Sequence, residues 1–378
     1  MNKTNTILFV ANVAKEHIIK FHIPTIKMLV DNGWIVDVAC SGKDIVPYCN
    51  RQIELSCNRA SMNLFQLLRE ARKLKNIINQ EAYDIVYCHT TVGGFIGRIA
   101  AKDARKSGTK VVYLSHGYYF YKGAPILNWA IFYTIEKFLE KYTDSIITIN
   151  NEDNDIAKKK FSSCKIYSIN GIGVDYNKLH VEDKQTARRE YRKELNIPLN
   201  AIVLIYMAEL HKNKNQKFLL RVLKRLLDEK IEDYYLVLPG YDHAGGEYQE
   251  YAEVLGIKEH VRFLGWRNDI GALYAMSDIC TASSIREGFG LNLVEAMAMG
   301  VPVIAARNRG HESIIKDGEN GFLVDQNDEQ TFCNKIVLLV ENNSIRQKFI
   351  ENGLLTKDLY DGMSVLKEIK NILKDHLK

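Results

Sequence analysis

Two glutamates, Glu287 and Glu295, stand eight residues apart in the run REGFGLNLVEAMAMGVPVIAA. The spacing places Glu287 in a loop and Glu295 about one turn inside the helix that follows. Between them, Gly288 and Gly290 let the backbone approach a ligand closely, just where a starting helix offers unpaired N–H groups and its positive dipole end. Phosphate suits such a place. A carboxylate repels phosphate but accepts hydrogen bonds well from sugar hydroxyls. Phosphate donors set between two hydroxyl acceptors describe a cradle for a nucleotide-sugar. The elements that must hold this cradle are a strand over Ile279–Ser283, a helix over Leu291–Met299 stopped by Gly300 with Pro302 beyond, and a second strand over Val301–Ala305.

With EGFG, GVPVIA and GENGFLV following in order, the segment resembles the E-x7-E signature of retaining glycosyltransferases of family 4. The resemblance implies the GT-B fold: an α/β chain of two Rossmann-like, doubly wound domains facing a central cleft that holds the active site. It implies Glu287 on the hydroxyls of the transferred sugar and Glu295 on the nucleotide ribose. Gly288, Phe289, Gly290 and Leu291 then line the donor.

Length and composition agree with such a chain. Its 378 residues are enough for two ordinary domains, and 46% hydrophobic with 26% charged residues describes a globular protein. No run reaches the length of a transmembrane helix, and the start, MNKTNTILFVANV, reads as a strand rather than a signal peptide. The cysteines (Cys40, Cys49, Cys57, Cys88, Cys164, Cys280, Cys333) are scattered without a C-x-x-C pair and read as small hydrophobes of a reducing cytoplasm. Charge is uneven: residues 1–174 carry a net +8 and the remainder −3. The basic half either meets an anionic partner, such as membrane lipid or a lipid diphosphate, or is an uneven solvated surface.

The chain opens as βαβ, with strands at Thr6–Ala11 and Trp34–Ala39 and a helix at Pro24–Asn32, which signals a parallel sheet. No G-x-G-x-x-G follows the first strand, which argues against a dehydrogenase. The intervening loop carries His17, Lys20 and His22, which are either candidate acceptor contacts, by the resemblance, or a solvated helix start. Asn63–Asn79 reads as an amphipathic basic helix, either docking to anionic membrane or covering the sheet. Asp84–Cys88 is a strand with His89 at its exit, where ligands gather in open sheets. Lys110–Leu114 ends in Ser115-His116-Gly117, and the family implies that His116 contacts the donor sugar and the leaving phosphate. The aromatic run from Tyr118 to Tyr121 and Lys122 precedes an apolar helix over Pro125–Tyr142. It suits an interfacial or polyprenyl-facing surface, or the core that aromatics at helical spacing usually form, with Tyr118 a candidate acceptor contact. The run resembles enzymes of capsule, exopolysaccharide and lipid-linked glycan assembly. Strands follow at Ser145–Ile149 and Ile166–Ile169. Asp153-Asn154-Asp155 matches a metal-binding D-x-D pattern but falls in the first turn of a helix, where acids serve the dipole and the cap.

The second domain opens with a strand in Ala201–Ala208. Family 4 enzymes carry an arginine and a lysine after it to clamp the donor diphosphate. Lys214 matches the lysine, whereas Glu209 occupies the arginine's place, with Lys212 a possible substitute. Strands at Tyr234–Leu238 and Val261–Leu264 follow, and Arg262 and Trp266 are candidate nucleobase contacts. The domains are 1–178 and 179–361, with the last helix, 362–378, returning to the first.

The reading is a retaining hexosyltransferase that moves a sugar from a nucleotide donor, expected to be a UDP-sugar, to a glycan acceptor on polyprenyl diphosphate. It works in bacterial surface polysaccharide synthesis, peripheral on the cytoplasmic membrane face. Catalysis rests on electrostatic stabilisation of the departing diphosphate by Lys214, backbone N–H groups and His116, with domain closure excluding water. No metal, cofactor or nucleic acid is expected. The alternatives are a UDP-sugar 2-epimerase and a catalytically silent scaffold of a polysaccharide assembly complex.

Overall fold

A computed structural model describes residues 4–56, 63–229 and 233–377. The chain divides into two compact units, residues 1–172 with 363–378, and residues 173–362. The break falls ahead of residue 178 because Val174 bridges Asp361 and exchanges backbone hydrogen bonds with Tyr360 and Gly362, which ties 173–178 to the second unit. Cys57 lies outside the described residues; the other cysteines are all free.

The first unit holds a seven-stranded sheet built from β1 (Thr6–Val13), β2 (Ile35–Ser41), β3 (Arg51–Glu54), β4 (Ile85–His89), β5 (Lys110–Ser115), β6 (Ser145–Thr148) and β7 (Lys165–Ser168). Their order is β3-β2-β1-β4-β5-β6-β7, and every pairing is parallel. Ile7 to Val10, Ile85 to Cys88 and Val111 to Leu114 are buried on both faces, as continuous apolar runs in a parallel sheet should be. After β3 the chain crosses to the other side of β1. The topological switch, where ligands bind in open α/β sheets, therefore lies at the carboxyl ends of β1 and β4.

The stretch between β1 and the next helix, expected as a loop, is a nine-residue π-helix, Ala14–His22, running directly into the helix Ile23–Asp31. The basic helix spans Leu64–Glu81, capped by Asn63, whose side chain accepts from the Phe65 N–H. It buries Ala71, Leu74 and Ile78 and leaves Leu64 and Phe65 exposed. Arg98 lies fully buried on the helix Thr91–Ala100 and donates to both oxygens of Glu136, at 2.7 and 3.0 Å. That pair pins the apolar segment 126–142 to the core. The last helix, Gly362–Asp375, buries Val365, Ile369, Ile372 and Leu373, and His376 beyond it meets the Ser145 hydroxyl at 2.8 Å.

The second unit repeats the plan with six strands: β8 (Ile202–Ile205), β9 (Tyr234–Pro239), β10 (Val261–Gly265), β11 (Ile279–Ala282), β12 (Val303–Ala306) and β13 (Phe322–Val324). The order β10-β9-β8-β11-β12-β13, again parallel throughout, puts its switch between β8 and β11. β12 starts at Val303, later than the expected Val301, since Pro302 has no N–H for the ladder.

Candidate active site

At the switch of the second sheet, the loops after β8 and β11 meet. Lys214 closes a short turn, Lys212–Lys214, that is capped by the His211 side chain accepting from the Asn213 N–H. Its ammonium donates to Glu287 Oε1 at 2.5 Å. The Ser284 hydroxyl donates to the same oxygen at 2.5 Å and lies 2.6 Å from the Tyr206 hydroxyl. The Ser283 hydroxyl donates to the Lys214 carbonyl at 2.7 Å, and Ile285 N–H to the Asn213 carbonyl at 2.8 Å, so the two loops are laced together. Burial opposes a charge on Glu287. Lys214, His311 and the hydrogen bonds from Lys214 and Ser284 outweigh it and hold the carboxyl below its ordinary range.

Close backbone approach fixes this geometry at two glycines. A side chain at Gly310 would meet the Phe289 carbonyl at 2.2 Å and Glu287 Cβ at 2.7 Å. Gly240, at φ +151°, would collide with the Ala208 carbonyl at 2.1 Å, just before Glu209. Gly290 opens the helix Leu291–Ala298 with no side-chain cap, and a Cβ there would lie 3.2 Å from the His311 ring. Glu295 sits within that helix, and the Tyr274 hydroxyl reaches its Oε2 at 3.2 Å while bonding the Asn292 carbonyl at 2.9 Å. Burial pushes the Glu295 carboxyl up to about 7, since Tyr274 and Lys178 only partly offset it.

Sequence reasoning missed Tyr206, Ser284, Asn308 and His311. Asn308 caps the short helix Arg309–Glu312, accepting from the Gly310 and His311 N–H groups, and donates to the Ser284 carbonyl at 2.9 Å. His311 Nδ1 must carry a proton, because it donates to the Ala306 carbonyl at 2.7 Å. A glycine flanked by polar and basic residues just after a buried strand was the available signal. Among the expected contacts, Glu209 lies 3.6 Å from His243, and Lys212 is exposed. Arg262 is not placed for a nucleobase: its guanidinium donates to the carbonyls of Leu195, Asn196 and Glu259 and so closes the end of the helix Lys184–Glu194. Trp266 stacks on Tyr241 at 5.1 Å and stays half-exposed.

The first unit gathers histidines at its own switch. The π-helix links residues five apart, which brings His17 and His22 toward one face, and their Nε2 atoms share a hydrogen bond at 3.2 Å. His89 ends β4 and His116 follows β5. Ring centroids are 4.0 Å apart for His22–His89 and 4.4 Å for His17–His116. Each of the four rings offers a nitrogen within 4.8 Å of the others, so a metal could be held here. Sequence spacing could not show this group, because its members come from three separate segments. Burial, with the neighbouring imidazoles adding to it, keeps His22 and His89 neutral; burial alone brings His116 down to about 3. Lys20 lies near the Phe21 ring and is exposed.

Tyr118 must be corrected. It is buried in the core, stacked on Phe120 at 4.6 Å, so its ring is not on an acceptor surface. Its N–H donates to Asp153 at 3.1 Å, and Asp153 also accepts from the amide of Asn150, the cap residue whose oxygen takes the Asp153 N–H, so the D-x-D acid anchors the helix start.

Comparison with known proteins follows this division of the chain. The family model described as "Glycosyl transferase 4-like" matches residues 6–150, and that described as "Glycosyl transferases group 1" matches 187–355. A protein of Bacillus subtilis (strain 168), carrying the provisional name glycosyltransferase EpsD, is 39% identical over 99% of this chain and 97% of its own. The UDP-Gal:alpha-D-GlcNAc-diphosphoundecaprenol alpha-1,3-galactosyltransferase of Escherichia coli is 27% identical over 82% of this chain and 80% of its own. Among solved structures, Anabaena Alr3699/HepE in complex with UDP and glucose superposes with a TM-score of 0.80 at 21% identity, covering 98% of this chain and 100% of that one. The chain belongs to the family-4-like glycosyltransferases and has the GT-B fold.

Proposed function

We propose that this glycosyltransferase takes its sugar from a UDP-sugar and passes it, with retention at the anomeric carbon, to a polyprenyl-diphosphate-linked glycan in surface polysaccharide synthesis. The observation that carries the reading is the Lys214–Glu287 pair at the switch of the second sheet, with Glu295 further along the adjoining helix. Glu287 is an ionised acceptor for sugar hydroxyls, and Lys214 is a cation within reach of a diphosphate. In the proposal Lys214 turns from Glu287 to the departing phosphate and stabilises the charge that develops there. Glu295 takes the ribose, and His116 contacts the transferred sugar. The chemistry asks for no metal at the diphosphate. The names of the relatives support the donor and acceptor classes: the Escherichia coli enzyme is named for UDP-Gal and a diphosphoundecaprenol acceptor, and HepE was solved with UDP and glucose. Exposed Ile126, Leu127, Ile131 and Phe138, near Lys137 and Lys141, support an acceptor side at a lipid surface.

Saturation-transfer NMR against UDP- and GDP-sugars, followed by transfer to a polyprenyl-diphosphate-linked sugar, tests the proposal. One UDP-sugar should bind through both nucleotide and hexose protons, and the product should keep the donor's anomeric configuration. Glu287→Gln should lower kcat/KM on the order of 10- to 100-fold with the far-UV circular dichroism unchanged, as loss of one charge-assisted contact requires. Unchanged turnover in that variant would remove Glu287 from the mechanism, and an inverted product would overturn the stereochemical assignment.

A further inference from the structure

The histidine cluster of the first unit has features that hydroxyl recognition does not require. His89 is fully buried, and neither of its ring nitrogens has a hydrogen-bond partner; His116 Nε2 is likewise buried without one. Leaving a buried donor or acceptor unpaired costs roughly 1–3 kcal/mol, so such atoms in a native protein call for an explanation. His89 cannot turn away to escape: its ring stacks on Phe9 at 5.3 Å and packs edge-on against Tyr87 at 4.3 Å. The rings are therefore held facing one another.

One edge of the cluster already has the spacing of a coordination sphere. In a tetrahedral site with metal–nitrogen bonds near 2.0–2.1 Å, ligand nitrogens lie about 3.3–3.4 Å apart. The His17 and His22 nitrogens, hydrogen-bonded to each other at 3.2 Å, already stand at that separation, and the whole set, within 4.8 Å, would draw in around an ion that replaces that bond. Local folding produces the first edge, since a π-helical turn links positions five apart and brings them toward one face, and such turns recur at functional sites. The other two ligands come from the ends of β4 and β5, on one side of the sheet switch.

We propose that His17, His22, His89 and His116 form a binding site for one divalent transition-metal ion of the zinc type. An all-imidazole, carboxylate-free ligand set suits zinc, cobalt, nickel or copper and disfavours magnesium and calcium, which take oxygen. His17, His22 and His89 are buried, and the half-buried His116 forms the entry side. Coordination through one nitrogen of an imidazole places the proton on the other. The ion would thereby fix the tautomer and orientation of His116. This site shares His116 with the donor reading, which otherwise rests on Lys214, Glu287 and Glu295 of the second unit.

The test uses the full-length chain without a histidine tag, stripped with a chelator and titrated with Co2+, then Zn2+. The expected result is one ion per chain, with the intense visible absorption of four-coordinate cobalt, displaced by zinc. His22→Phe and His89→Phe should each weaken that binding by more than about 100-fold, beyond the usual loss on removing an outer-shell partner. Zinc-edge X-ray absorption of the unsubstituted chain covers the case in which those variants do not fold; it should count three or four imidazoles. Absence of a stoichiometric ion, a shell of oxygen ligands, or binding that survives both substitutions overturns the proposal. UDP-sugar binding measured in parallel is expected to persist in the stripped chain, so failure of either reading is seen separately.

Discussion

Glu295 is the residue whose chemistry can be followed by pH. Its carboxyl is buried, and burial raises its pKa to about 7. The unfolded chain releases that proton near the usual glutamate value of about 4.3, so the folded chain holds it over a wider range. The sign follows: this proton's contribution to stability is full below the unfolded pKa and is lost as pH rises through about 7. Ligand binding should move the other way. Two ribose hydroxyls are better accepted by the carboxylate than by the acid, so a donor that needs it must displace the proton. We predict that affinity for a UDP-sugar, whose diphosphate carries no group titrating in this interval, rises on the order of tenfold between about pH 6 and about pH 8. Calorimetry in buffers of different ionisation enthalpy should show proton release on binding, and Glu295→Gln should flatten the profile. A flat profile in the unsubstituted chain would take Glu295 off the ribose.

At the scale of elements, the Arg98–Glu136 pair decides how the segment after the aromatic run is held. Arg98 also lies over the Tyr113 ring at 4.0 Å, so its guanidinium is enclosed on every side by the core. Such a pair is costly to desolvate and costlier to break, because the survivor is a buried charge with nothing to answer it. Glu136→Ala should therefore lower stability by roughly 3–5 kcal/mol, whereas Arg98→Met combined with Glu136→Leu should cost much less. Urea unfolding of the two variants checks this; equal losses would mean that packing, rather than charge, dominates there. The pair was invisible in the sequence, where Glu136 sits in a run that reads simply as apolar helix. What the sequence did reveal has a local cause: strands such as β1, β4 and β5 announce themselves as short apolar runs, and the helix Leu291–Ala298 by the glycines at each end. That Glu287 stands in a loop just before a helix was legible from the E-x7-E spacing and its glycines, and the loop position of Lys214 from the apolar strand ahead of it. The π-helix was not, since its spacing of five matches neither the helix nor the strand period. The histidine group and the Tyr206–Ser284–Glu287 chain depend on which strands become neighbours, and adjacency in a parallel sheet is set by crossover order. Tyr118 went wrong for a related reason: an aromatic cluster says that something is covered, but not whether lipid or the protein's own core covers it.

For the whole molecule, the consequential feature is that the first unit is completed by the last residues of the chain. The helix Gly362–Asp375 supplies Val365, Ile369, Ile372 and Leu373, all at most 5% exposed. Burying a side chain of this kind contributes about 1.5–3 kcal/mol, an upper estimate because unfolded chains already cover some surface. Four such residues approach the total stability of an ordinary domain, about 5–15 kcal/mol. The second unit loses none of its sheet when residues 363–378 are removed, and Gly362, which bonds the Val174 carbonyl at 3.0 Å, remains. A chain ending at Gly362 should therefore unfold in two steps. The first unit should melt at a lower temperature, with early hydrogen exchange in β1, β4 and β5. The second should keep its transition and its UDP affinity within about threefold, since the nucleotide contacts proposed for it all lie in that unit. Calorimetry with hydrogen-exchange mass spectrometry separates the two units directly. If both transitions fell together, the units would be energetically one body; if neither moved, the last helix would be an appendage despite its burial. The expected result has a consequence for synthesis of the chain. The second unit can form as soon as it is made, whereas the unit that bears the histidines must wait for the helix Gly362–Asp375.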